Sequence, residues 1–276
     1  MTPGGRTRRA LLWVAVHATA VALALMFLAP LAFMLLTAVM TDRQALSGDL
    51  WPRGWHFANF VDVFSGDMVR WTVNSTVYAG LSTLFMLVSS VPVAYALARF
   101  RFRGRNAAFV VVIAAMMLPP QVTMVPLYIV WARFGLTGTL WPLIIPQLFG
   151  DAFSIFLLRQ FLVTIPREYA DAARVDGCGE LRTMLRVVLP MAKPALAAVA
   201  LFQFFYCWND YFRPLVYADP DHWTLAIGVA TFRAAHHVEW NLTMAATLLT
   251  IVPVLVVFFL AQRVFIQGVT LTGVKG

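Results

Sequence analysis

The chain has 276 residues, of which 61% are hydrophobic and only 12% charged, and its mean hydropathy is +0.75. A soluble domain of this size carries about 25% charged residues, so the shortage excludes an ordinary soluble enzyme, a disordered tail and a disulfide scaffold, the last also because the chain has only two cysteines, Cys178 and Cys207. The net charge of +8 would suggest nucleic acid for a soluble protein, but in a membrane protein it follows from cations gathered in cytoplasmic loops. The composition is that of an integral membrane protein in contact with lipid and with no nucleic-acid partner.

A bilayer core about 30 Å thick needs about 20 apolar residues of helix. Six stretches meet this, near Leu11–Met40, Thr72–Ala98, Ala107–Val130, Leu140–Phe161, Leu189–Pro214 and Leu242–Phe265. The first follows Arg6, Arg8 and Arg9; its apolar run is too long for a signal-peptide core, so it is read as a retained span. The expected fold is an all-α polytopic bundle of six transmembrane helices. Its organisation is an N-terminal span with an outer loop over 1–70, a core over 71–266 and a tail over 267–276. Six crossings put both termini on one side. With the N-terminus inside, the inner segments hold Arg6, Arg8, Arg9, Arg99, Arg101, Arg103, Arg105, Arg159, Arg167, Arg174, Arg182, Arg186, Lys193, Arg263 and Lys275, fifteen of the 21 cations. The outer side keeps Arg43, Arg53, Arg70, Arg133, Arg213 and Arg233, so both termini are expected in the cytoplasm. Prolines at 92, 119, 120, 126, 142, 146 and 253 are expected to break the second, third, fourth and sixth spans, which suits a pathway better than a rigid anchor.

The segment between the fourth and fifth spans, residues 165–190, carries more information than its length suggests. Pro166 suits a first helical position, and Glu168 and Asp171 favour the positive end of a helix. Asp176-Gly177 reads as a helix stop. A second helix is expected from Gly179, with Leu181, Met184, Leu185 and Val188 spaced to share one face. Pro190 and Pro194 mark the return to the membrane. Two readings follow, an interfacial helix covering the bundle and a compact knob that enters another protein's groove. The small Ala172 and Ala173 favour the knob, because they let a partner backbone approach closely.

Asp171-Ala172-Ala173, three residues, Gly177, nine residues and Val187-Val188-Leu189-Pro190 resemble the EAA signature of ABC importer permeases. The departures from that signature are Asp171 for Glu and Val187 for Ile. Ala98-Arg99-Phe100-Arg101-Phe102-Arg103-Gly104, Met117-Leu118-Pro119-Pro120 with Pro126-Leu127-Tyr128, Trp208-Asn209-Asp210-Tyr211 with Pro214-Leu215, and the ending from Gln262 to Gly276 are similar to MalG-like permeases of carbohydrate ABC importers. The resemblance implies a type I ABC importer permease fold, without catalysis, that works by alternating access. It implies that Glu168, Asp171, Ala172, Ala173, Asp176, Gly177, Leu181, Leu189 and Pro190 couple to a cytoplasmic ATPase, with Gly273 and Lys275 of the tail reaching the same partner. Implied partners are a homologous second permease forming a heterodimer, two ATPase copies, and an extracytoplasmic solute-binding protein or lipoprotein. No cofactor is expected on this chain, with ATP and Mg held by the ATPase. The only lysines are Lys193, before Pro194, and Lys275, before Gly276, so no Walker A motif is present.

Charges inside spans are costly, about 2.5–3.5 kcal/mol on insertion scales. Asp151 falls near the middle of the fourth expected span and is either a pathway residue or a carboxyl bonded to a neighbouring helix. Trp208, Asn209, Asp210 and Tyr211 combine hydrogen-bonding groups with aromatic faces, a mixture that suits a sugar as well as an interfacial belt. Asn74, Gln121, Gln147 and Gln203 are weaker candidates, each better suited to an interhelical hydrogen bond than to the pathway. His236-His237 with Glu239 lack the spacing of a metal site, so no metal is expected. The cargo alternatives are glycerol-3-phosphate or a glycerophosphodiester, or an amino sugar. A phosphate would call for cations in the spans, and the sequence offers almost none. A membrane enzyme or a channel is the remote alternative.

Overall fold

In a computed structural model of the chain, the backbone is described for residues 3–232 and 238–272, and side chains for 11–232 and 238–262. Among the described residues the chain is all-α, with an isolated bridge between Gly138 and Ala218. Four helical stretches are long and apolar enough to cross a bilayer, Leu11–Ala38, Met68–Arg99, Trp141–Thr164 and Trp240–Gln262. Two bent pairs, Arg105–Met116 with Pro120–Arg133 and Glu180–Met191 with Lys193–Trp208, raise the number to as many as six, counting each pair as one span. These stretches overlap the six expected spans, and their large apolar side chains point outwards along much of their length, as a lipid-facing surface requires.

The bends differ from the expectation in instructive ways. Pro92, Pro126 and Pro253 lie inside continuous helices, so single prolines do not break these spans. The third span breaks instead at the pair Pro119-Pro120, with a 93° turn. Pro119 is extended, with φ −66° and ψ 133°, because a following proline disfavours the helical conformation, and Pro120 then opens the next helix. The fourth span runs as Trp141–Ile144, a 3₁₀ turn Ile145–Phe149, and a helix Ala152–Thr164. Gly150 stands between the last two at φ +92°, a conformation that favours glycine. The fifth span is shorter than the expected Leu189–Pro214. Its membrane helix is Lys193–Trp208, about 24 Å long at 1.5 Å per residue, and Pro214 belongs to a separate short helix, Phe212–Tyr217.

The chain divides into two compact units. One comprises Met1–Gly66 and Val229–Leu249. There the Asn59 amide donates to the carbonyls of Ala38 and Met40, at 2.8 and 2.9 Å, and finishes the end of the first helix. Asn241 donates in turn to Asn59 Oδ1 at 3.3 Å. The other unit comprises Asp67–Gly228 and Thr250–Gly276. Its centre is the Met68–Arg99 helix, which packs against both Ala152–Thr164 and Lys193–Trp208. Met86, Tyr95, Leu158, Leu162, Val188 and Val199 are buried along these contacts. At the other end of the Met68–Arg99 helix, Arg70 pairs with Asp221 at 2.9 Å, and Asn74 donates to the carbonyls of Asp221 and Trp223, both at 2.9 Å.

Gly228 sits in the Leu225–Thr231 helix against the Trp71 indole, where an added Cβ would overlap the ring. Gly228→Ala is expected to destabilise the purified protein by about 1–3 kcal/mol through overpacking, read as a lower midpoint of thermal unfolding in detergent. An unchanged midpoint would contradict the close approach.

Candidate functional site

Two places in the larger unit bring the sequence candidates together, a knob between the fourth and fifth spans and a cavity among the spans. The knob begins with the helix Glu168–Val175. Its N-cap is Arg167, whose carbonyl accepts from Ala170 and Asp171, so Pro166 precedes the cap instead of occupying the first helical position. The helix ends as the Asp-Gly pair predicts. Gly177 has φ +80°, Cys178 N–H donates to Ala173 at 2.9 Å and Gly177 N–H to Arg174 at 3.0 Å. This is the paired-bond cap that glycine permits.

Arg174 organises the rest of the knob. Its Nε lies 2.6 Å from Glu180 Oε1, its Nη2 3.3 Å from Glu180 Oε2 and its Nη1 2.5 Å from Asp171 Oδ1. The Tyr95 hydroxyl, buried on the Met68–Arg99 helix, donates to Glu180 Oε2 at 3.2 Å. One arginine therefore joins both parts of the knob to a membrane helix. The hydrogen bond from Arg174 holds the Glu180 carboxyl below the usual glutamate range. The alanines divide unequally. Ala170 and Ala173, three residues apart, are buried against the chain's own core, while Ala172 is exposed. Only Ala172 of the expected pair can meet another protein.

The second helix also departs from expectation. It starts after Gly179 as Glu180–Thr183 but continues as a π-helix over Met184–Val188. Met184 and Val188 are buried, whereas Leu181 is 67% and Leu185 53% exposed. The wider π turn takes these residues off the common face that an α-helical spacing gives them. Glu168, Asp176 and Pro190 are exposed, and Leu189 packs partly against the core. Gly273 and Lys275 lie outside the described residues.

The cavity has a volume of about 600 Å³, within the range of small-molecule sites. Its polar lining includes Thr123, Gln147, Asp151, Gln203, Tyr206, Arg213 and Tyr217. Asp151 is neither at mid-helix nor bonded to a neighbouring helix through its carboxyl. It caps Ala152–Thr164, where its Oδ2 accepts from Ser154 N–H at 2.7 Å, and its own N–H donates to Ser90 Oγ at 2.9 Å. A cap aspartate is at home beside the positive end of a helix, which removes much of the cost of a charge at this depth.

Arg213 was expected only as an outer-side cation, yet it stands on the cavity wall. Its Nε donates to Asp210 Oδ2 at 2.6 Å and its Nη2 to the Tyr78 hydroxyl at 2.7 Å, and that hydroxyl donates to Asp210 Oδ2 at 2.8 Å. The guanidinium also lies 4.6 Å from the centre of the Tyr206 ring, a cation–π distance. Asp210 therefore neutralises and orients a cavity cation and does not itself line the cavity.

The remaining pathway candidates fall elsewhere. Trp208 is buried, and its indole N–H donates to the Thr250 carbonyl at 3.2 Å. Asn209 turns back to Phe205 of its own helix at 2.8 Å, and Asn74 holds the segment from Asp221 to Trp223. Tyr211 and Gln121 are exposed and do not line the cavity. Sequence reasoning passed over Arg213, Tyr206 and Tyr217 as lining residues and ranked Gln147 and Gln203 low. The available signal was the spacing Asp210-x-x-Arg213, which suits an ion pair across one helical turn.

Residues 90–271 match the family described as the binding-protein-dependent transport system inner membrane component. The chain is 35% identical to the arabinooligosaccharides transport system permease protein of Halalkalibacterium halodurans over 221 residues, 79% of each chain. It is 37% identical to the sn-glycerol-3-phosphate transport system permease protein of Yersinia pestis over 199 residues, 71% of this chain and 70% of the relative. Its fold is similar to a chain of a bacterial ABC transporter involved in the import of the acidic polysaccharide alginate. The TM-score is 0.79 at 22% identity, covering 95% of this chain and 98% of that one.

Two outcomes follow from the geometry. The lowered Glu180 pKa means that its link to Arg174 contributes in full above the ordinary value of 4.5 and is lost as pH falls through the lowered one. Amide exchange over residues 168–183, corrected for intrinsic rates, should therefore accelerate once the pH falls below the ordinary glutamate range, and Glu180→Gln should remove that acid dependence. Identical acid profiles would contradict the link. Arg213→Gln leaves Asp210 without its cation and should cost about 3 kcal/mol in thermal unfolding, with the double variant Asp210→Asn/Arg213→Gln regaining at least half. Additive losses in the double variant would dissolve the pair.

Proposed function

The chain belongs to the binding-protein-dependent transport system inner membrane component family, and from that premise we propose that it is the permease subunit of an ATP-driven importer, forming half of the translocation pathway for a carbohydrate. As a family member it is a multi-pass inner-membrane transport component of a bacterium. The observation that carries the proposal is the knob, a capped helix and a π-turned second segment that leave Ala172, Val175, Leu181 and Leu185 exposed. An apolar surface of this kind outside the spans suits an enclosing groove on a second protein. In the proposed assembly that protein is an ATPase present in two copies. It holds ATP and Mg, and this chain performs no catalysis. A homologous permease completes the pathway, an extracytoplasmic solute-binding protein or lipoprotein delivers the cargo, and both termini face the cytoplasm.

The Arg174 network gives the proposed coupling a route. A push on the Glu168–Val175 helix is passed through Arg174 and Glu180 to Tyr95, and through buried Ala170 and Val188 to the core around the Met68–Arg99 helix. Packed interiors move as units instead of deforming locally, so the load reaches the spans that wall the cavity.

The charge of the cavity supports a neutral sugar. Arg213 is balanced by Asp210, and Asp151 adds a carboxylate. A wall of that net sign suits hydroxyls or an amino group and disfavours glycerol-3-phosphate, although a relative is named for that solute. Aromatic Tyr206 and Tyr217 offer faces to sugar C–H groups, and Gln147 and Gln203 offer amides to hydroxyls.

The test is Gly177→Trp. Its Cβ would meet open space, but φ +80° strains any larger side chain and directs the indole towards the partner surface. In proteoliposomes containing the assembled transporter, uptake of the oligosaccharide that its binding protein carries should fall at least about tenfold while ATP hydrolysis persists, the signature of lost coupling. Wild-type uptake with normal assembly would overturn the assignment.

A further inference from the structure

At the inner end of the Met68–Arg99 helix the chain makes a second, strongly basic pocket that the transport reading does not use. Arg101, Phe102, Gly104, Arg105 and Arg167 line it, and its volume is about 470 Å³. No carboxylate lines it. Among the described residues Arg101, Arg105 and Arg167 form no ion pair. Arg105 reaches only the Phe100 carbonyl, at a long 3.4 Å. Arg159 adds another positive charge within electrostatic reach of Arg105. Like charges gathered around one concavity repel each other, and an anion seated among them would relieve that repulsion.

The surroundings identify the source of that anion. The pocket lies where the Met68–Arg99 helix leaves the apolar layer and the Arg105–Met116 helix enters it. Gly104 makes the intervening turn at φ +87°. Exposed Phe100 and Phe102 alternate with Arg101 and Arg103, a pattern suited to the boundary between acyl chains and headgroups. A soluble phosphate would need no aromatic side chains beside its cations.

We infer that this pocket binds the phosphodiester headgroup of an anionic phospholipid, held between the Gly104 turn and Arg167, the cap of the Glu168–Val175 helix. The bound headgroup pins the inner loop to the knob, so anionic lipid stiffens the joint through which the knob acts on the membrane helices. The inference goes beyond the transport reading and stands whatever solute is carried.

The experiment is a native mass-spectrometric titration of the full-length protein, purified with its partners and delipidated, with phosphatidylglycerol, phosphatidylcholine or inorganic phosphate. Phosphatidylglycerol should bind more tightly than phosphatidylcholine, and the preference should shrink about fivefold per arginine removed, the equivalent of about 1 kcal/mol each, through Arg101→Gln, Arg105→Gln and Arg167→Gln. Arg103→Gln removes a charge from the same loop but outside the pocket and should keep the preference. The triple Arg→Lys variant should recover most of it, which separates lost charge from misfolding. No preference in the wild type, or an equal preference in the triple Gln variant, would overturn the site. Displacement of the lipid by an equal concentration of inorganic phosphate would overturn the lipid assignment.

Discussion

A single guanidinium holds the knob in register with the membrane. Arg174 binds Asp171 on its own helix and Glu180 on the next segment, and Tyr95 ties Glu180 to the Met68–Arg99 helix. Each pair alone is exposed enough to be worth little. Their combined effect is positional, because three elements share one point and cannot slide independently. The glycine cap at Gly177 allows this arrangement, since it turns the chain sharply enough to return Glu180 to Arg174 within six residues.

The same economy of charge governs the cavity. The two charged side chains on its wall, Asp151 and Arg213, are each compensated. Asp151 sits at a helix N-terminus, and Arg213 and Asp210 neutralise each other with a tyrosine hydroxyl between them. A wall built in this way presents amides, phenols and one carboxylate without a large field. That chemistry suits a solute recognised by its hydroxyl pattern. Asp210, at the conspicuous Trp-Asn-Asp-Tyr stretch, acts on the cavity at one remove, by fixing where Arg213 points.

The sequence revealed the fold class and the positions of the spans because hydropathy over 20 residues is set by the bilayer itself. It revealed the Gly177 cap for a similar reason, since a left-handed turn admits few residue types. The bends were less legible. A double proline broke a helix while three single ones did not, and that distinction depends on the packing available to satisfy a freed carbonyl. The exposure of Leu181 and Leu185 was hidden because a π turn changes the residue spacing on which periodicity arguments rest. Arg213 was overlooked as a lining residue because a cation near the end of a span carries topological information, and its partner Tyr78 is 135 residues away. Asp151 was readable in hindsight. Gly150-Asp151 before an apolar run with Ser154 is a helix-start signal, and hydropathy alone had joined the two halves of that span.

The account rests on the knob being gripped by a nucleotide-hydrolysing subunit. A photo-activatable crosslinker at Val175, the most exposed large apolar side chain of the knob at 88%, tests this in native membranes. Illumination is predicted to join the chain to an ATP-binding subunit, with a yield that changes when ATP is supplied. Adducts confined to lipid or solvent would contradict the account.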